Sequence, residues 1–138
     1  MRVLFDTNVL IEYFRNPDKR REFDARVARP THFFSSVVAM ELYAGCRSGR
    51  QEAELATFLK PFEKAGRVVT PDHATMLHAG RVIAHLSREG LAKAHLRQIS
   101  QDVLIAVSAA RAGVTVVTNN VRDFERIARW VEVQWITP

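Results

Sequence analysis

The 138-residue sequence predicts a three-layer α/β protein: a mainly parallel central sheet with helices on both faces. Two observations carry that expectation. Short β-prone runs alternate along the chain with longer segments of helical periodicity, the pattern of strand–helix–strand units. The runs are also nearly continuous in apolar character, as in Val3-Leu4-Phe5 and Val114-Thr115-Val116-Val117. A strand apolar on both sides is covered on both sides, and parallel strands are the ones so covered.

The elements follow in order. Arg2 to Phe5 reads as a buried strand, and Thr7 to Phe14 as the helix that follows it. A charged helix is predicted over Asp18 to Ala28, then a short strand over Thr31 to Phe34. Ser35 or Ser36 can cap the next helix, which runs to about Arg47 with Gly45 and Gly49 near its end. Gln51 to Phe62 and Pro71 to Arg88 are helical on either side of a strand at Arg67 to Thr70. Ser100 is expected to open a nearly all-apolar helix that Gly113 ends. A strand at Val114 to Val117, a short helix from Val121 to Ala128 and an edge strand from Val131 to Ile136 complete the chain.

No repeat, low-complexity tract or linker divides the sequence, so one domain over residues 1–138 is expected. A hydrophobic fraction of 47% supplies a core and argues against disorder. The lone Cys46 rules out an intramolecular disulfide, and no Cys/His spacing suggests zinc. Asp6 interrupts the first apolar run, unlike a secretory signal, and no apolar stretch approaches the roughly 18–20 residues needed to span a bilayer. A soluble, cytoplasmic protein is expected. The formal charge of +5, from 20 basic against 15 acidic residues, favours phosphate backbones without requiring them.

In parallel sheets, chemistry gathers at the carboxyl ends of strands. Asp6 follows Val3-Leu4-Phe5 directly, where Asp also makes a good N-cap. Glu41 lies beyond the first turn of its predicted helix, among Val37, Val38, Ala44 and Gly45. Capping does not explain it, and burying its charge costs several kcal/mol unless it is paired or metal-bound. Asp102 is expected to open the apolar helix and Asp123 the short one, positions the helix dipole alone would favour. Each acid has a plain alternative; the set is stronger. Two carboxylates about 4 Å apart repel by roughly 4 kcal/mol at an effective dielectric near 20. Gathered together, the four need protons or a divalent cation, and all-oxygen donors suit Mg²⁺ or Mn²⁺. An acidic pocket in a basic protein fits metal-assisted attack on a phosphodiester.

The segments Phe5-Asp6-Thr7-Asn8-Val9-Leu10-Ile11, Ser36 to Leu42 with Gly45, Asp102-Val103-Leu104-Ile105-Ala106 and Thr118-Asn119-Asn120-Val121-Arg122-Asp123-Phe124 stand in one order along the chain. In that order and spacing the sequence resembles the PIN-domain ribonucleases, and among them the VapC-type toxins of toxin–antitoxin pairs. The resemblance implies a three-layer PIN-like fold and an Mg²⁺- or Mn²⁺-dependent endoribonuclease. It implies the four acids as catalytic and metal-binding residues, with Asn8, Thr118 and Asn120 in support. It also implies a homodimer, inhibited by a small antitoxin whose C-terminal segment covers the active site. Under that reading a metal-activated water cleaves RNA to 5′-phosphate and 3′-hydroxyl ends. Gln101 departs from the acid or Asn that many relatives carry there, which puts an accessory metal contact in doubt but not the main site.

Two alternatives stand beside it: a phosphomonoester hydrolase with Asp6 as nucleophile, and a non-catalytic RNA- or antitoxin-binding module whose acids are only caps. The first usually needs a second acid at position 8, which is Asn8. Lys93, His95 and Arg97 read as a solvated loop that can also contact phosphate, and Lys19-Arg20-Arg21 as a charged helix face. The five histidines form no i,i+4 metal pair. Trp130 and Trp135 read as core or dimer contacts, and Cys46 as a small buried residue.

Overall fold

The computed structural model describes residues 1–27 and 29–138. In chain order the elements are β1 (Val3–Phe5), α1 (Thr7–Arg15), α2 (Pro17–Val27), β2 (His32–Ser35), α3 (Ser36–Ala44) and α4 (Gly49–Lys64). They continue as β3 (Val68–Val69), α5 (His73–Arg88), α6 (Lys93–Ala112), β4 (Thr115–Val117), α7 (Val121–Ile127) and β5 (Trp135–Ile136). The expected end of the second helix at Ala28 lies outside the described residues.

The strands form a single sheet in the order β3-β2-β1-β4-β5, and each strand runs parallel to its neighbours. The first three strands step outward in one direction from β1, and the last two step outward in the other. Because parallel crossovers are right-handed, the helices joining each half cover opposite faces of the sheet. This is the three-layer arrangement that the apolar strands required. The reversal between β1 and β4 opens a crevice at their carboxyl ends, the usual place for a site in such sheets.

Local chemistry sets the helix ends. Ser35 caps α3 by accepting from the Val37 and Val38 amides. Asp72 caps α5 through the Thr75 amide and hydroxyl, so this helix begins two residues after Pro71. Gly113 ends α6 in the left-handed region, with φ 67°, a conformation that costs a residue with a Cβ.

The largest departure from the sequence expectation among the helices is at α6, beside shifts of two or three residues such as the end of α3 at Ala44 and the start of α5 at His73. The apolar helix does not open at Ser100; α6 is a continuous 20-residue helix from Lys93. Its first turns expose Arg97 and Gln98 and carry Lys93, so they lack the apolar density of the rest, and Ala92 offers no side-chain cap. The strand expected from Val131 pairs only at Trp135 and Ile136. The alternation upstream reflects Val131 and Val133 turning into the core from irregular backbone.

The core runs along the sheet's faces. Leu4 and Val116 from the strands, Val103, Ile105, Ala106 and Val107 from α6, and Phe124 and Ile127 from α7 are fully buried. An aromatic cluster joins Phe5, Tyr13, Phe23, Phe34, Phe58 and Phe62 on the α1, α2 and α4 side. Trp135 packs against this core near Phe124, whereas Trp130 sits at the surface, stacked on His85 at 4.2 Å. Lys19 pairs with Glu12 and Arg20 lies over the Phe14 ring, which leaves that basic run as a helix face. Cys46 is half-buried, its thiol directed at the Leu42 carbonyl. Among the described residues no helix is long and apolar enough to cross a membrane.

Candidate active site

Phe5 lies opposite Val117 in the sheet, so β1 and β4 deliver the residues that follow them, Asp6 and Thr118, side by side. Asp6 is the N-cap of α1, and its Oδ1 accepts from the Thr7 amide at 2.7 Å. Capping is therefore only part of its role. The other oxygen accepts from the Thr118 hydroxyl at 2.7 Å and from Asn8 Nδ2 at 3.0 Å, contacts that capping does not need. Burial pushes the Asp6 carboxyl above the usual range, and the Thr118, Thr7 and Asn8 donors pull it back.

The loop after β4 is tied to the same point. Thr118, fully buried, also accepts from the Asn120 amide at 3.0 Å, and Asn8 Oδ1 accepts from the Asn119 amide at 3.1 Å. Asn120 then bridges two further acids: its Nδ2 donates to Asp102 Oδ2 at 2.8 Å and to Asp123 Oδ2 at 3.0 Å. Asn8, Thr118 and Asn120 thus form a polar frame joining three of the four acids.

Asp102 is not at a helix start. It is the tenth residue of α6, beyond the reach of the N-terminal dipole. Burial first, then repulsion from Asp6 and lesser repulsions from Asp123 and Glu41, push its carboxyl up to about 8 against the Asn120 hydrogen bond. All three other acids act on it, so the four carboxyls form one electrostatic unit.

Glu41 is the sixth residue of α3, well past the Ser35 cap. Its Oε1 is buried without a hydrogen-bond partner, and so is Thr7 Oγ1. Burial raises the Glu41 carboxyl, the nearby Thr7 hydroxyl eases it without meeting hydrogen-bond geometry, and Asp6 raises it further. An unpartnered buried carboxylate oxygen beside another acid is costly, and either a proton or a cation relieves it.

Asp123, in the first turn of α7, is buried and held by both oxygens. Asn120 takes Oδ2, and His95 Nε2 meets Oδ1 at 2.8 Å. In the sequence His95 reads as an ordinary histidine in a loop. It lies instead on the first turns of α6, seven residues before Asp102 and on the same helix face. That shared face is the signal that identifies it, and it exists only in a helix extending back to Lys93.

Among the described residues, no three His, Cys, Asp or Glu side chains stand close enough to hold an ion as they are. Asn120 stands between two of the acids, donating to both Asp102 and Asp123. The donor set nonetheless fits a hard divalent cation: carboxylate oxygens only, one of them unpartnered. Arg122, Arg126 and Arg129, with Glu125, line a surface groove on the helix that carries Asp123, and Arg129 reaches Glu89 at 3.7 Å.

The PIN domain family model matches residues 3–129. The tRNA(fMet)-specific endonuclease VapC of Salmonella typhimurium is 31% identical over 129 residues, covering 92% of each chain. Its counterpart of the same description from Shigella flexneri is 28% identical over 138 residues, covering 98% of each. Among solved structures, the DNA-bound VapBC complex from Salmonella typhimurium contains a chain that matches with a TM-score of 0.67 at 30% identity, over 99% of this chain and 98% of that one.

Proposed function

The chain belongs to the PIN domain family, and from that premise we propose that it is a metal-dependent endoribonuclease, the toxin of a toxin–antitoxin pair. Asp102 carries the proposal. A carboxylate in the middle of an apolar helix, raised to about 8 by burial and three neighbouring acids, has no structural purpose that a neutral residue would not serve better. The four acids would hold Mg²⁺ or Mn²⁺. Bound there, the cation would supply Lewis-acid stabilisation of the phosphodiester and would lower the pKa of a water so that hydroxide is available to attack phosphorus.

The chain's own residues do the rest. Thr118 and Asn8 fix the orientation of Asp6, and Asn120 fixes Asp102 relative to Asp123. Arg122 and Arg126 line the groove without an ion pair among the described residues, which leaves them to take up RNA phosphates along the helix that carries Asp123. The exposed Met40, Tyr43, Met76 and Leu77 offer apolar surface to a second copy of the chain and to a small antitoxin. Such a toxin would act in the cytoplasm, where its RNA is.

The alternatives fare worse on the same geometry. As a phosphatase nucleophile, Asp6 would have to attack with both oxygens engaged by three donors, from a position 2% exposed. A binding module with acids as caps leaves Asp102 and Glu41 unexplained, since neither is near a helix start. The deciding experiment incubates purified protein with RNA in Mg²⁺, Mn²⁺ or EDTA. Cleavage that the chelator abolishes and that Asp6→Asn removes supports the nuclease. Turnover of a phosphomonoester alone, or no turnover of either substrate, overturns it.

A further inference from the structure

We propose that His95 is a positioning residue that fixes the Asp123 carboxylate within the site; the proposal rests on the nuclease reading and extends it to a residue outside the acids and their polar frame. The contact is short and specific: His95 Nε2 to Asp123 Oδ1 at 2.8 Å, between residues 28 apart in sequence. A carboxylate only accepts, so Nε2–H is the donor. Asp123 is nearly enclosed, with a side chain 12% exposed, whereas His95 lies on the rim at 35%.

The second oxygen of Asp123 is taken by Asn120. Terminal torsions of Asp are soft, with no sharp minimum to hold the carboxylate plane. Two donors on opposite oxygens supply that minimum from outside, because the group cannot turn without breaking one hydrogen bond. Carboxylates that serve a metal centre are commonly oriented in this way, and loss of the outer donor typically costs about 10–100-fold in metal affinity or activity.

The pair is not a helix cap. Asp123 is the acceptor of a side-chain donor rather than of an α6 amide, and Ala92 gives the start of α6 no side-chain cap. His95 and Asp102 share one face of α6, so a single rigid element supplies an acid and also the donor that orients another acid on α7. Any shift of α6 then moves both together, which keeps their relative geometry.

The test uses the full chain with His95→Ala, His95→Gln, Asp123→Ala and the double variant His95→Ala/Asp123→Ala. Mn²⁺ binding is followed by electron paramagnetic resonance without RNA, and kcat and KM are measured on an RNA oligonucleotide. Expected for His95→Ala is Mn²⁺ affinity and kcat each lowered by about 10-fold, with KM changed by less than about twofold. His95→Gln, which can present an N–H at similar reach, should recover most of the loss. In the Asp123→Ala background the His95 substitution should add nothing.

Unchanged Mn²⁺ affinity and kcat would make His95 a packing residue. A rise in KM with kcat intact would make it an RNA contact, and an additive loss in the double variant would separate it from Asp123. Each of these overturns the proposal. If the wild-type chain binds Mn²⁺ but cuts no RNA, the nuclease reading fails, and the binding series still decides the role of His95. Should the alanine variant not fold, Gln against the shorter Asn at position 95 makes the same comparison.

Discussion

The Thr118 hydroxyl donates to Asp6 Oδ2 at 2.7 Å, across 112 residues of sequence and with both side chains buried. The same oxygen of Thr118 accepts from the Asn120 amide. Thr118→Val keeps the shape and removes both interactions, leaving a carboxylate oxygen and an amide short of partners. Stability should fall by about 1–3 kcal/mol in denaturant unfolding. Thr118→Ser should retain most of it, and wild-type stability in the valine variant would refute this account.

Asp6→Asn and Asp102→Asn should each lower RNA cleavage by roughly three orders of magnitude, the scale of several kcal/mol of transition-state stabilisation. Far-ultraviolet circular dichroism should stay native in both. Cleavage assays at saturating Mg²⁺ check it, and full activity in both variants would remove these acids from the mechanism.

Asp102 also predicts an inverse pH dependence of stability. Its folded-state pKa of about 8 lies above the ordinary 3.8, so the folded protein binds the proton more tightly than the unfolded chain. The stability this contributes is complete below about pH 4 and is lost as pH rises through 8. In EDTA, the Tm component due to Asp102 should therefore fall between about pH 4 and 8. Asp102→Asn should abolish that component and raise the Tm at pH 8 by a few degrees, on the scale of about 4 °C per kcal/mol. Mg²⁺ should raise the wild-type Tm at pH 8 and leave the variant unchanged. A Tm lowered by the substitution at pH 8 would contradict the repulsion among the acids.

Arg122→Ala/Arg126→Ala should weaken RNA binding without lowering kcat at saturating substrate. For every phosphate no longer neutralised, the dependence of log affinity on log salt should flatten by about 0.7 for single-stranded RNA. Binding measured across a salt series checks this, and an unchanged slope would move the RNA path away from α7.

Much of the architecture is legible in the sequence, for identifiable reasons. Apolar runs point to parallel strands because a doubly covered strand cannot alternate, and Asp6 and Thr118 are placed by the strand ends they follow. Glu41 stands out because no cap accounts for it. What stays hidden belongs to α6. Its opening turns carry Lys93, Arg97 and Gln98 and have no capping side chain, so nothing local announces a helix. Without that start, Asp102 resembles a first-turn acid and His95 part of a loop. The contact between His95 and Asp123 depends on how α6 packs against α7, which short-range periodicity does not encode.

The position of β1 has a consequence for how the protein comes into being. It is synthesised long before β4, yet it occupies the middle of the sheet, with β2 on one side and β4 on the other. At translation rates of ~5–20 residues per second, the side of β1 that β4 will fill stays vacant for roughly 5–20 seconds of chain growth. Thr118, Asn120 and Asp123 all emerge after that interval, and the pairing that brings them to Asp6 is among the most non-local in the chain. Assembly of the centre is therefore delayed by topology: a nascent chain has no complete site until Thr118, Asn120 and Asp123 have emerged to meet Asp6 and Asp102.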